Sequence, residues 1–593
     1  MARSALGRKW LPRLQDERLG LALAQRLEAP ELVGRVLAAR GASLEDAPRL
    51  LNPKLRDWMP DPSTITDVDK AVARLVEALG AGEQIAVFGD YDVDGATSTA
   101  LLTRYFGALG RTLLTHIPDR QKEGYGPNIE AMESLKKQGA QIVITVDCGT
   151  LAYDPLAHAA GLGLEVIVLD HHLAEPNLPK CHALVNPNRL EDSSGLGDLA
   201  AVGVVFMVLV ALNRALRQAN WFADQGVDEP NLMGLLDIVA LGTVADVVPL
   251  RGLNRAFVTQ GLEVMAQRGN AGINALLDVA SVTDQPRAYH MGFVLGPRVN
   301  AGGRVGEAPL GARLLSLDDP IEAKEIAAKL DLYNRERQAI EAQVLEEAMA
   351  QMLDRYGDKP DVPLVMVHGP NWHPGVIGIV ASRLKERAER PALVLAGGTG
   401  NEPMKGSGRS ITGVDLGRAI TAALEADLLV NGGGHAMAAG VTLDPNMYET
   451  FETFVSDKIA AQVAAVAAEP ATLIDSVLGV RGVTVDLVAL MERAGPFGSA
   501  NPTPKVAIAD ARIIEARPVG ADKSHVRLVL ADKGAGGRLT GIAFRAAETA
   551  LGAFLLERSG AYEPVHLVGT LKRDTYMGRE KVDLTVEDAA PAQ

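Results

Sequence analysis

Three aspartates, Asp90, Asp92 and Asp94, stand two residues apart in the stretch GDYDVDG (89–95). Three like charges so close repel one another unless something positive sits among them. A calcium loop that begins Asp-x-Asp-x-Asp-Gly would bring such a charge, but it requires a bidentate Glu at its twelfth position. Counted from Asp90 that position is Leu101, which rules the loop out. On the heptad alone, a solvated acidic turn and a site for another cation both remain.

The elements that must position these aspartates favour the cation. Three apolar, β-branched-rich runs each stop on an acidic residue: QIAVFGD (84–90), QIVITVD (141–147) and LEVIVLD (164–170), the last followed by His171 and His172. Runs apolar on consecutive positions fit strands buried on both faces. Helix-like stretches, GATSTALLTRYFGALG (95–110) and NIEAMESLKKQG (128–139), alternate with them, and the alternation predicts a parallel sheet. Ligands of such sheets gather beyond the carboxyl ends of the strands. Asp90, Asp147 and Asp170 are therefore expected to converge on one edge, with both histidines beside them.

Several carboxylates and two imidazoles at one edge call for a hard divalent cation or a pair of them. Carboxylates suit Mg²⁺ and Mn²⁺, and imidazole shifts the preference toward Mn²⁺. A further carboxylate, Asp246, interrupts the apolar stretch LLDIVALGTVADVVPL (235–250). An Asp among Val and Leu is costly unless it is paired or ligating. A helix cap or a buried hydrogen bond to backbone would also account for it, and Asp237 in the same stretch is an equal candidate for the paired carboxylate.

The chain of 593 residues has room for about three or four domains. With 47% hydrophobic and 22% charged residues it reads as an ordinary folded protein. No run reaches the roughly 18 uninterrupted apolar residues of a membrane span, and MARSALGRKWLPRL lacks the apolar core of a signal peptide. Two cysteines, Cys148 and Cys181, make no disulfide framework and suit a reducing cytoplasm. A net charge of −15 argues against a generally nucleic-acid-binding surface but leaves room for a local basic groove.

An ordered series of motifs runs along the chain: GDYDVDG, IPDRQKEGYG (117–126), VDCGT (146–150), LDHH (169–172), GTVADVVPL (242–250), GPRVNAGGR (296–304), WHPGVIGIVASRL (372–384), KGSGRS (405–410), GGGHAMAAG (432–440) and the closing YMGREKVDLTVED (576–588). The series resembles the DHH phosphoesterase superfamily and, within it, the bacterial exonucleases specific for single-stranded DNA. One departure is LAAVGVVF (199–206), where members more often carry a Cys-Gly-Ala-Gly-like turn; it is expected to alter packing rather than chemistry.

The resemblance implies an α/β multidomain fold. Its expected parts are an N-terminal helical segment (1–70), a DHH catalytic domain with a parallel sheet (71–317), a long connector helix (318–358), a DHHA1 α/β domain (359–460) and a C-terminal OB-fold β-barrel (461–593). Asp319 as cap, Pro320 at the first helical position and Gly357 as terminator frame a connector of about 37 residues, near 55 Å long. So charged a helix reads as a link between domains rather than a core element. It would leave a cleft with metals on one wall and ligands for a terminal phosphate on the other. Residues 505–545 hold eight Lys/Arg against four Asp/Glu, with Phe544 the sole aromatic, so the barrel should follow phosphates more than stack on bases.

By the same resemblance, Asp90 and Asp92 would serve one metal, and Asp94, His171 and Asp246 the other, with Asp147 bridging. His172 would donate to the scissile phosphate, and Asp170 would orient an imidazole. Arg120, Arg298, Asn300, Arg304, Ser407 and Arg409 are the candidate phosphate ligands, with neighbouring glycines letting backbone N–H groups approach. The glycines before His435 would make a tight turn into a helix whose N-terminus attracts anions. His373 and Trp372 would meet a base or a phosphate, Trp372 being equally acceptable as core.

The implied activity is two-metal hydrolysis, with Mn²⁺ or Mg²⁺, of single-stranded DNA from 5′ to 3′, releasing mononucleotides in DNA repair and recombination. The alternatives are a nano-RNA or cyclic-dinucleotide phosphodiesterase, a pyrophosphatase, or a non-catalytic Cdc45-like replication scaffold. Expected partners are single-stranded DNA, a single-strand-binding protein and a helicase. A cytoplasmic monomer with no membrane association completes the expectation.

Overall fold

The computed structural model describes residues 4–120, 122–400, 402–466, 471–532, 537–576 and 579–592. Gln121 of IPDRQKEGYG, Lys533 of the basic barrel segment and Met577 and Gly578 of the closing motif thus lie outside the described residues. The chain forms two compact units: Met1–Val299, Pro309–Ala327 and Pro470–Gln593 make the first, Asn300–Ala308 and Ala328–Glu469 the second.

The first unit contains a five-stranded sheet in the order Leu114–His116, Ile85–Gly89, Ile142–Val146, Glu165–Leu169, Ala183–Val185, parallel throughout. Strands Ile85–Gly89 and Ile142–Val146 are buried along their whole length, as their unbroken apolar runs require. Register sets the active edge. Gly89 pairs with Val146, Val146 with Leu169 and Leu169 with Val185. The next residue of each strand is therefore Asp90, Asp147, Asp170 and Asn186, one beside another across four neighbouring strands.

Helix Val93–Ala108 leaves this edge and is buried on nearly all sides. Helix Ala201–Gln218 is long and apolar enough to cross a membrane by length and composition, but here it is a core helix, with Phe206 edge-on to Phe257. Helix Leu236–Ala245 also lies in the core and ends at Asp246.

The same unit holds a closed barrel. Around it run Lys505–Val519, His525–Ala531, Arg538–Ala543, Arg579–Pro591 and Val565–Tyr576, and the last pairs back with the first. The N-terminal helices Glu17–Arg26 and Glu31–Ala38 share its core: Leu23, Val33 and Leu37 pack in one cluster with Val506, Ile508 and Leu567.

Helix Pro320–Tyr356 runs for 37 residues as expected. Asp319 Oδ1 accepts the Ile321 N–H at 2.8 Å, and Gly357 ends the helix with φ 75°. Its second half departs from the linker reading. Val344, Ala348 and Met352 are buried with Val365, Trp372 and Val380 in one cluster of the second unit. These three sit four residues apart, a stripe that a tally of charges conceals.

The sheet of the second unit is mixed, in the order Asn431–His435, Ala438–Leu443, Met404–Arg409, Ala392–Gly397, Val365–Gly369; only the last two strands are parallel. GGGHAMAAG is thus a hairpin, where a turn into a helix was expected: Gly432 pairs with Val441 and His435 with Ala438. Glycines allow both, and pairing with the neighbouring strand through Val441 and Leu443 selects the strand.

Candidate metal centre

Each carboxylate of the cluster is held in its own way. Asp90 follows its strand directly and is buried, and Oδ1 has no hydrogen-bond partner. Asp92 caps helix Val93–Ala108, its Oδ1 accepting N–H groups of Asp94 at 2.9 Å and Gly95 at 3.1 Å. Asp94 lies in the first turn of that helix. Its oxygens accept the N–H of Ala201 at 2.6 Å and of Val202 at 2.9 Å, at the start of helix Ala201–Gln218. The departing segment LAAVGVVF therefore does touch the site, by its backbone, as a clamp on Asp94.

Asp147 is buried with φ 60°, a left-handed conformation uncommon outside glycine, and its Oδ1 is likewise without a hydrogen-bond partner. Asp246 stands half-buried just past helix Leu236–Ala245, whereas Asp237 lies at the other end of that helix, bonded to the N–H of Ile238. Of these two carboxylates, Asp246 is the one that joins the cluster.

Three overlapping sets bring ligand atoms within 4.8 Å of one another: Asp90, Asp92 and Asp147; Asp94, His171 and Asp246; Asp147, His171 and His172. His171 Nε2 stands at the junction, 3.3 Å from Asp147 Oδ1, 3.6 Å from Asp246 Oδ2 and 3.9 Å from Asp94 Oδ2. Asp170 is occupied otherwise. Its Oδ1 accepts the N–H of His171 and His172 and the Nδ1–H of His172 at 2.8 Å, while Oδ2 accepts from Thr150 N–H.

The electrostatics separate the two kinds of carboxylate. Burial first, then the charge of Asp92, pushes Asp94 up to about 7, and burial with Asp94 and Asp92 pushes Asp246 up to about 9. Asp90 and Asp147 are driven well above the carboxylate range by burial and then Asp92. Burial acts the same way on Asp170, yet its hydrogen bond from His172 and that residue's charge hold it below the usual range. Burial lowers both imidazoles; His171 ends low, with His172 adding to the effect, while the Asp170 bond and charge bring His172 up to about 9. Crowded carboxylates with buried, unpartnered oxygens fit divalent cations, which would restore the charged forms.

Residues not singled out in the sequence complete this edge. Asn186 closes the fourth strand and donates to Thr150 Oγ1 at 2.9 Å and the His172 carbonyl at 2.8 Å; Asn188 donates to the His171 carbonyl at 2.6 Å. Tyr125, inside IPDRQKEGYG, donates to the Asp147 carbonyl at 3.0 Å, its hydroxyl 3.4 Å from the His172 ring nitrogens. A polar residue ending a fourth apolar run, ALVN, was the signal for Asn186. Tyr125 had none beyond its motif.

The candidate phosphate ligands divide between the units. Arg120 is exposed, 5.2 Å from the Tyr91 ring centroid, and its charge acts on Asp90. Arg298 donates to the Val294 carbonyl at 2.7 Å in the first unit. Asn300 and Arg304 belong to the second, as do His373, Ser407, Arg409 and His435. GPRVNAGGR folds as helix Gly296–Val305 and KGSGRS lies in strand Met404–Arg409, so the expected glycine-loop N–H groups are engaged in helix and sheet. Their side chains remain as candidates. Arg304 donates to the Gly375 carbonyl at 2.9 Å, and His373 Nδ1 accepts the Gly375 N–H at 3.0 Å. Arg409 Nη1 lies 3.1 Å from Ser407 Oγ, and His435 is absent from that pair, being exposed two strands away. Trp372 is core, donating to Glu347 at 2.6 Å.

Comparison with known proteins follows the same division. Residues 84–243 match the DHH family, N-terminal domain; 343–461 match the DHHA1 domain; 474–588 match the RecJ OB domain. The single-stranded-DNA-specific exonuclease RecJ of Salmonella typhimurium is 36% identical over 573 residues, 95% of this chain and 96% of that protein. The RecJ of Bacillus subtilis is 34% identical over 591 residues, 99% of this chain and 71% of its own length. The crystal structure of RecJ in complex with Mn²⁺ from Thermus thermophilus superposes with a TM-score of 0.80 at 28% identity, covering 99% of this chain and 80% of that one; the Mg²⁺ complex gives 0.75.

Proposed function

This chain belongs to the RecJ family of single-stranded-DNA-specific exonucleases, and from that premise we propose how its residues divide the work. It is a metal-dependent exonuclease acting on single-stranded DNA, with Mn²⁺ or Mg²⁺ as cofactor. When bound, a pair of such ions acidifies a water and shields the charge of the phosphodiester.

Asp90, Asp92 and Asp147 would hold one ion, and Asp94, His171 and Asp246 the other. Asp147 would be placed to serve either ion, since it belongs to the first ligand set and its Oδ1 is 3.3 Å from His171 Nε2 of the second. His172 is held as a donor by Asp170 and directs Nε2–H at a phosphate oxygen, and Tyr125 limits the swing of its ring. Arg120 adds positive charge at the mouth of the site. Arg304, His373, Ser407, Arg409, His435 and Asn300 in the second unit, and Arg298 in the first, are the proposed phosphate ligands. The strand is consumed from 5′ to 3′ with release of mononucleotides.

One observation carries the reading: two sets of ligand atoms share an edge, and buried Asp90 Oδ1 and Asp147 Oδ1 have no other hydrogen-bond partner. Unpaired Cys148 and Cys181 support a reducing cytoplasm. Action as a monomer, supplied with strand by a single-strand-binding protein and a helicase, rests on family membership alone.

The test is a 5′-phosphorylated single strand labelled at its 3′ end, incubated with Mn²⁺ beside the blunt duplex, a short RNA and pyrophosphate. Loss of the strand from its 5′ end with the duplex spared is the expected result. Cleavage of the RNA or pyrophosphate alone would overturn it.

A further inference from the structure

Tyr289 and Phe293 are 62% and 73% exposed and stack on each other, their ring centroids 5.3 Å apart with 26° between the planes. They stand on an unusual support. A five-residue π-helix, Met291–Leu295, joins the short helix Ala288–His290 to helix Gly296–Val305. Such wide turns occur mostly as single insertions, often at functional sites.

The underside of the segment is fixed. Met291 and Leu295 are fully buried. A Cβ on Gly292 would lie 3.4 Å from Val244 Cγ1, and one on Gly296 3.4 Å from Ala245 Cβ and 3.9 Å from Val93 Cγ2. The segment is thus pressed against the last turn of the helix that ends in Asp246 and against the first turn of the helix that bears Asp94. One side of the π-helix packs on the helices of the metal centre, while Phe293 on its other side and Tyr289 on the preceding short helix present two aromatic rings to solvent.

The flanks are basic. Arg287 and Lys572 are exposed, and both act electrostatically on the half-buried imidazole of His290, with Asp284 opposing them. Lys572 comes from barrel strand Val565–Tyr576, so metal domain and barrel each place a cation that acts on His290, whose ring centroid is 5.9 Å from that of Tyr289. Exposed stacked aromatics beside a histidine that two cations act on, on a segment packed against the helices of the metal centre, match the way single strands are held: stacking on rings while positive groups follow the phosphates.

We infer that Tyr289 and Phe293 form a stacking platform for a base of the single strand on its approach to the metal centre. The inference rests on the exonuclease reading above and adds a base contact outside the barrel, which is itself poor in aromatics. Stacking accepts any base, so the platform grips the strand without selecting sequence. A protein-binding patch is the competing use of two exposed rings, and the basic flanks and the brace against the Asp246 helix favour the strand.

The test uses the full-length protein with 2-aminopurine placed at successive positions of a single strand, bound in EDTA so that nothing is cut. Wild type is expected to quench one position strongly, and Tyr289→Ala with Phe293→Ala to abolish that quenching. With Mn²⁺, the double variant should raise KM about tenfold, within the range for loss of stacking on one base. Phe293→Trp should preserve both signals. An abasic residue at the quenched position should erase the difference between wild type and variant. Equal quenching and equal KM in wild type and double variant, each melting normally, would overturn the platform and leave a protein contact as the use of the rings. If wild type binds and quenches but cuts no strand, the exonuclease reading fails while the platform stands.

Discussion

Asp170 Oδ1 and His172 Nδ1 are 2.8 Å apart, and the same oxygen accepts the backbone N–H of both histidines. One buried carboxylate thereby fixes the ring orientation, the protonated nitrogen and the turn that carries His171 into the cluster. Asp170→Asn keeps the shape, but its amide turns a donor toward Thr150 N–H or toward His172. We expect kcat to fall about 10- to 100-fold, the usual cost of losing such support, with KM for the strand little changed. Steady-state kinetics decide it, and an unaltered kcat would remove Asp170 from the mechanism.

Asp147 sits where the ligand sets overlap. Asp147→Asn should lower cleavage by more than the about 100-fold that a supporting residue costs. Its effect on stability runs the other way. Without metal, burial first and then the charges of Asp92, Asp94, Asp90 and Asp246 penalise the ionised form of Asp147, and a neutral amide removes that penalty. Melting in EDTA should therefore show the variant above wild type. Adding Mn²⁺ should raise wild type steeply and the variant much less.

Gly95 allows helix Val93–Ala108 to begin against the end of its strand. A Cβ there would lie 2.4 Å from Asp90 O and 2.6 Å from Asp90 N, both backbone atoms with nowhere to move. Gly95→Ala should destabilise the protein by about 2–3 kcal/mol and displace Asp92 and Asp94 together. Gly107, in the same helix, has nothing within 4 Å of its added Cβ. Gly107→Ala should instead stabilise by about 0.5–1 kcal/mol. Urea titration of the pair separates crowding from helix propensity.

The acidic edge was legible because its signal is local: apolar runs ending in Asp fix strand and ligand at once, and parallel register does the rest. The connector was legible for the same reason, with Asp319, Pro320 and Gly357 marking its ends. Asp246 could not be told from Asp237, because both interrupt one apolar stretch and only the packing of its helix shows which end meets the cluster. The strand at His435 was misread since GGGH has no pattern of its own and takes its conformation from the neighbouring strand. Asn188 and Tyr125 act through backbone carbonyls of other segments, which no spacing in the chain reveals.

Asp237 offers a pH-dependent check away from the metal ligands. Burial, against weaker help from the N–H of Ile238 and the charge of Arg104, raises its pKa from 3.8 to about 6. A carboxyl whose folded pKa is raised favours folding in its protonated form. The resulting penalty is absent below the unfolded pKa, grows as pH climbs toward about 6, and is constant above. Asp237→Asn should therefore raise stability at pH 7.5 by up to about 3 kcal/mol, at about 1.4 kcal/mol per unit, with no gain near pH 4. Urea melts at the two pH values measure it, and an equal gain at both would mean that packing, not charge, is responsible.

Arg409 and Ser407 point from one strand toward the opening turn of helix Ile377–Ala388. A Cβ on Gly378 in that turn would lie 3.0 Å from Ser407 Oγ and 3.1 Å from Arg409 Nη2. A guanidinium, a hydroxyl and the first turn of a helix so arranged suit the dianionic end of a strand, since a planar fork matches phosphate oxygens and the helix start favours negative charge. Lysine keeps the charge of arginine and loses the fork. Arg409→Lys should thus raise KM for a 5′-phosphorylated strand about tenfold, as loss of a charge-assisted bond predicts, while barely affecting the same strand with a 5′-hydroxyl. The ratio of the two substrates is the informative quantity. If Arg409→Lys slows both equally, Arg409 holds the sheet or the strand at large, and the terminal phosphate must be received elsewhere.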